Sequence, residues 1–117
     1  MSCPRFVAES MALRTAAHLA HLSTPSYAQH VALGEFYGAL EDLVDRYAEV
    51  YMGLKTQVPS FPAATVPRGD IVEALQDYVD TVREEMDEDH KSEALANILA
   101  EIEELTARTL YKLRFLK

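Results

Sequence analysis

Four side chains of this 117-residue chain have the types and spacing to do metal chemistry: His18, His30, Asp45 and Glu49, in the pattern His-x11-His-x14-Asp-x3-Glu. Imidazole and carboxylate together suit iron or zinc. If residues 26–52 form one helix, His30 and Asp45 lie about 22 Å apart along it at 1.5 Å per residue. No single ion spans that distance. A shared site therefore combines the histidine end of one chain with the carboxylate end of another, and the spacing predicts a two-fold dimer before it predicts a reaction. Asp45 and Glu49 are one turn apart and can share an ion. An outer-face carboxylate pair is also what 19 acidic residues produce by chance.

The elements that must position these groups are legible as four amphipathic helices at about 5–22, 26–52, 70–87 and 92–116. The first has a loose stripe of Phe6, Leu13, Ala16, Ala17 and Ala20 with the pair Leu19/Leu22. Thr24-Pro25 interrupts it, with Thr24 expected as N-cap and Pro25 as the first residue of the second helix. That helix has a broad apolar face of Leu33, Phe36, Tyr37, Leu40, Leu43, Val44, Tyr47 and Tyr51, and Gly53 is placed to end it. Residues 54–69 form a linker broken by Pro59, Pro62 and Pro67 and closed by Gly69. Val58, Phe61 and Val66 suit a linker packed on the rest of the chain. Asp70 caps the third helix, whose stripe is Ile71, Leu75, Tyr78, Val79, Val82 and Met86. The run Glu84–Asp89 reads as a solvated acidic turn. Leu95, Ile98, Leu99, Ile102, Leu105, Leu110, Leu113 and Leu116 line the fourth helix. The expected fold is all-α: a four-helix bundle of two hairpins joined by a long crossover between helices 2 and 3.

On a wheel of 100° per residue the apolar residues of the second helix fall on one side. Asp42, Asp45, Glu49 and Glu35 fall largely on the other, with His30 near the boundary. A diiron centre inside one bundle needs inward carboxylates and Glu-x-x-His pairs. None occurs here, and the nearest match, Asp87-x-x-His90, falls in a turn. His21 and His90 read as filler, with His21 a spare ligand one turn from His18. Net charge of −8 disfavours DNA and anionic membranes as partners. Cys3, the single cysteine, forms no internal disulfide, which suits a reducing compartment. No secretory pattern or apolar run of about 18 residues is present, so a soluble cytoplasmic protein is expected. The four glycines build no phosphate loop, and Ser23, Ser26 and His30 make no triad.

The stretch HLAHLSTPSYAQHVALGEFYGALEDLVDRYAEVYMG, from His18, resembles the second-helix region of the Dps family of mini-ferritins. All the intervals between His18, His30, Asp45 and Glu49 match that family, as does the aromatic Phe36. Ser92 and the following ANILAEIEELTARTLYKLRFL resemble its last helix in register and apolar pattern. In size the chain resembles small ferritin-like relatives encoded by bacteriophages. The resemblance implies a ferritin-like bundle and a ferroxidase centre shared between two subunits, with iron as the ion. Fe(II) would be oxidised by hydrogen peroxide or oxygen and stored as ferric mineral in a homo-oligomer. Departures are also visible. Where the family often has an acidic ligand, four residues after the second histidine, this chain has Gly34, with Glu35 one residue further. Leu19 replaces an aromatic, the short helix between helices 2 and 3 has shrunk to the linker, and there is no lysine-rich tail. The alternative is a non-enzymatic assembly or interaction module with a degenerate centre.

Overall fold

The structure is a computed structural model and describes residues 2–88 and 92–117. Four helices follow in order: α1 (Cys3–Ser23), α2 (Tyr27–Leu54), α3 (Ile71–Met86) and α4 (Glu93–Phe115). Each begins where a short polar side chain takes up an otherwise orphaned backbone donor. Ser2 accepts from the Arg5 amide, Ser26 from Gln29, Asp70 from Val72 and Ser92 from Leu95. Asp70 is the expected cap. It follows Gly69, whose φ of 91° turns the chain out of the linker in a conformation that side chains resist.

Boundaries of α1 and α2 differ from the sequence reading. The cap of α2 is Ser26, not Thr24. Pro25 holds Thr24 extended (φ −73°, ψ 138°), as the residue before proline must be, so Thr24 ends α1 instead of starting α2. Its hydroxyl accepts from the Ser26 amide at 3.1 Å and donates to Gln29 Oε1 at 2.7 Å. α1 starts at Cys3, two residues early, because Pro4 is tolerated in a first turn. Gly53 is helical, and α2 runs on to Leu54 with Lys55 as its C-cap.

Around the bundle the neighbours are α1–α2, α2–α4, α4–α3 and α3–α1, which leaves α2 and α3 diagonal. Contacts between named side chains give the directions. Tyr47 near the end of α2 meets Phe6 at the start of α1 and Glu85 at the end of α3. Lys112 near the end of α4 meets Glu35 near the start of α2. Helices α2 and α3 thus run parallel, and α1 and α4 run against them. Residues 55–70 must climb back along the bundle before α3 can descend. α3 has 16 residues, about 24 Å, well within the reach of such a segment. One long crossover is the connectivity of ferritin-like bundles.

The core is one cluster built from all four stripes, with Phe6, Leu33, Phe36, Leu40, Tyr47, Leu75, Leu95, Leu99 and Ile102 fully buried. α2, at 28 residues or about 42 Å, runs along nearly the whole 44 Å long axis. The linker lies on α1: Phe61, Pro62, Ala64 and Val66 line a groove with Val7, Met11 and Thr15. Val66 is half-buried there and Val58 earlier in the linker is half-buried too, while Phe61 stays exposed. Leu19, Leu22 and Leu116, expected on inward stripes, are exposed. They sit where α1 and α4 run out past the last layer of the core.

The largest departure is Glu85. The acidic run from Glu84 reads as solvated, yet Glu85 is fully buried and Tyr47 donates to its Oε2 at 2.5 Å. Glu85 sits three residues after Val82, on the same face as Tyr78 and Leu75, so helix geometry carries it inward despite its charge. Cys3 is buried in the core.

Candidate metal centre

The end of α1 and the start of α2 bring three histidines together. His18 lies flat on Tyr37, ring centroids 4.1 Å apart and planes 15° apart. The Arg14 guanidinium stands 5.7 Å from the same tyrosine ring and binds Glu41 at 3.0 Å. His21 stacks on His30 at 3.8 Å and 16°, and lies 6.1 Å from His18. Tyr27 flanks His30 at 6.3 Å. All three imidazoles are half-buried.

The stacked pair is tied crosswise to the backbone. His21 Nδ1 is 2.5 Å from the His30 carbonyl oxygen, and His30 Nδ1 is 2.8 Å from that of His21. A carbonyl only accepts, so each Nδ1 carries the proton and donates. Each Nε2 is then the nitrogen with a lone pair.

Asp45 and Glu49 lie on the outer face of α2, exposed, as does Asp42. None of the three is in an ion pair among the described residues, whereas Glu41 and Glu101 nearby are paired with Arg14 and Arg46. Glu35 lies elsewhere. It accepts from Lys112 at 3.1 Å and lines an apolar groove toward α4 with Tyr27, Val31 and Leu116. Five residues past His30, it is turned about 140° from it.

One chain thus gathers the imidazoles at one end of α2 and leaves Asp45 about 22 Å and Glu49 about 28 Å further along. Among the described residues no group of three or more His, Cys, Asp or Glu could hold a metal ion. The pair Asp87-x-x-His90 falls partly outside the described residues. His21, read as filler, is part of the imidazole pair. Its signal in the sequence was Gly34: a Cβ there would stand 3.0 Å from His21 Cε1 and 3.2 Å from Nδ1. The space that Gly34 leaves open is filled by the His21 ring.

Near the other end of the bundle, burial pushes the Tyr47 hydroxyl well above the ordinary tyrosine value, and its bond to Glu85 pushes it further. Tyr47 is therefore a fixed neutral donor. No helix among the described residues is long and apolar enough to cross a membrane.

Among known proteins, the chain is 33% identical over 72 residues to an uncharacterized 14.6 kDa protein in the mobD-ri intergenic region of Enterobacteria phage T4, a match covering 60% of this chain and 56% of that one. It thus spans a little over half the length of that relative. No solved structure matches. The segment 21–113, which takes in the last turn of α1 and nearly all of the rest, matches a family of unknown function, DUF5856, and the chain belongs to that family.

Proposed function

We propose that this protein is a metal-binding bundle that works as a two-fold dimer, with His18 and His30 of one protomer facing the partner's Asp45 and the partner's Glu49. The ion is ferrous iron and the reaction its oxidation, in keeping with the resemblance to Dps proteins. Two Fe(II) each lose one electron to a hydrogen peroxide. Its O–O bond breaks, and with two protons the oxygens leave as water. The imidazoles and carboxylates hold the iron with positions open to oxidant, and the unpaired acidic face of α2 draws the cation in.

The observation that carries this reading is the division of donors along α2. Asp45 and Glu49 are exposed and unpaired, while His30 is oriented by a backbone carbonyl, the usual outer-shell partner of a metal-binding histidine. In a two-fold contact, residue i faces j and j faces i. Setting His30 against the partner's Asp45 therefore puts the axis beside Tyr37 and Gly38. Gly38 is exposed, and a Cβ there would meet nothing within 4 Å. Glycine inside a helix costs about 1 kcal/mol relative to alanine. The fold of one chain gives no reason for it, and close approach of a second α2 gives one.

The test is Fe(II) addition to metal-free protein, following ferric absorbance with peroxide and with oxygen, beside Asp45→Ala and His30→Ala. The expected result is oxidation faster than in buffer that both variants abolish while keeping their helicity. Oxidation at the buffer rate would favour the second reading, a non-enzymatic assembly or interaction module. That reading rests on the departures from the Dps pattern, Gly34 and the lack of a helix between α2 and α3.

A further inference from the structure

We infer that His21, Pro25 and Gly34 form a clasp that fixes the His30 imidazole with its proton on Nδ1 and presents Nε2 to metal, which makes His21 a positioning residue of the centre. This inference rests on the metal-binding reading above.

The clasp follows from the chemistry of two carbonyls. In a helix the His21 carbonyl would be taken by the amide four residues on. That residue is Pro25, which has no N–H. The His21 carbonyl is thus left over at the end of α1, and His30 Nδ1 occupies it at 2.8 Å. The His30 carbonyl, inside α2, is not left over in this way and offers its second lone pair. The His30 carbonyl lies one turn before Gly34, where the missing Cβ opens its flank, and His21 Nδ1 reaches it at 2.5 Å. The two rings then lie face to face at 3.8 Å. Each imidazole is held by a hydrogen bond at one edge and by its neighbour's face. Sequence spacing encodes both halves, since proline follows the first histidine by four residues and glycine follows the second by four.

A histidine free in solution exchanges its proton between the two nitrogens and turns about its side-chain bonds. Fixing the tautomer and the ring plane before metal arrives removes that cost. Partners of this kind are typically worth tenfold to a hundredfold in metal affinity. Among the described residues His18 has no such bond. It is held by stacking on Tyr37, with the His21 ring 6.1 Å away, so the clasp makes His30 the stronger of the two imidazole ligands.

The experiment combines two readouts on the full chain. Imidazole nitrogen NMR of metal-free protein reports the tautomer of His30, and calorimetry with Zn(II), which does not oxidise, reports affinity. The variants are His21→Ala, Gly34→Ala and Asp45→Ala, each checked for helicity. In the unaltered protein His30 should carry its proton on Nδ1. His21→Ala should mix the tautomers and weaken Zn(II) binding about tenfold or more. Gly34→Ala, whose added methyl displaces the His21 ring, should move both readouts the same way and serves if His21→Ala folds poorly. Asp45→Ala should weaken Zn(II) binding and leave the tautomer untouched. Zn(II) binding that is unchanged in a folded His21→Ala or Gly34→Ala, or a mixed tautomer in the unaltered protein, overturns the clasp alone. An unaltered protein that binds no Zn(II) overturns the metal-binding reading and with it any positioning role.

Discussion

Tyr47→Phe tests whether the polar contact at the end of α2 holds the bundle together. The substitution leaves the fully buried ring and its edge-on contact with Phe6, at 5.3 Å and 71°, in place. The hydrophobic contribution of the side chain is therefore nearly unchanged, and what disappears is the donor at 2.5 Å from Glu85 Oε2. A hydrogen bond to a charged group contributes about 1.5–3 kcal/mol. We expect a destabilisation of about 2–3 kcal/mol, a large fraction of the 5–15 kcal/mol typical of whole domains. Urea unfolding followed by circular dichroism measures it, and the urea slope should not change because the exposed surface does not. Glu85→Gln keeps an acceptor and should cost less, about 1 kcal/mol. The Tyr47→Phe/Glu85→Gln cycle should then show coupling of at least about 1 kcal/mol. A Tyr47→Phe cost below about 0.5 kcal/mol, at constant slope, would refute the assignment of this contact as a principal tie between α2 and α3.

Stability should fall in alkali. Burial raises the Tyr47 and Tyr78 hydroxyls above the ordinary tyrosine value near 10. Above that pH the unfolded chain releases both protons while the folded chain retains them, so the unfolded state binds fewer. Their contribution is complete below about pH 10 and declines by about 1.4 kcal/mol per pH unit per group above it. Urea midpoints that stay level between about pH 9 and 11 would contradict this. Gly38→Arg should leave the helical fold of one chain intact, because the position is open, and should convert the proposed dimer to monomer in light scattering at micromolar protein. A dimer that survives Gly38→Arg rules out a two-fold axis at this point of α2.

Much of the architecture is written locally. α3 and α4 repeat apolar residues at three and four, and Asp70 and Ser92 stand where polar caps belong, so period and cap agree and the helices follow. The start of α2 was legible only in part, because two rules compete at Thr24-Pro25. Proline favours a first helical position, but it also forces its predecessor to be extended, and here the second effect wins. Glu85 was hidden by its neighbours. Average charge over Glu84–Asp89 says solvent, while the register from Leu75 through Tyr78 and Val82 says core. Tyr47, 38 residues away, supplies a donor that helps make burial tolerable. At the candidate centre, the distance between His30 and Asp45 could be worked out from helix rise alone. The pairing of His21 with His30 could not, because it needs two helices to meet before Pro25 and Gly34 acquire their meaning.

The division of labour on α2 bears on how any functional result should be read. Its inward side carries Leu33, Phe36, Leu40, Val44 and Tyr47, all buried, and these hold the bundle. Its outward side carries Asp42, Asp45 and Glu49, which contribute no ion pair to the described structure. Like charges clustered on one helix repel, with pairs at i, i+4 destabilising by a few tenths of a kcal/mol. The fold of a single chain would be slightly better without them. Removing Asp45 should therefore leave the helix content intact and the stability level or slightly raised. Loss of metal binding in that variant would then report on the site rather than on unfolding. An Asp45→Ala protein that is markedly less stable would mean that this face has a structural partner, and the metal-binding reading would lose the unpaired carboxylates on which it stands.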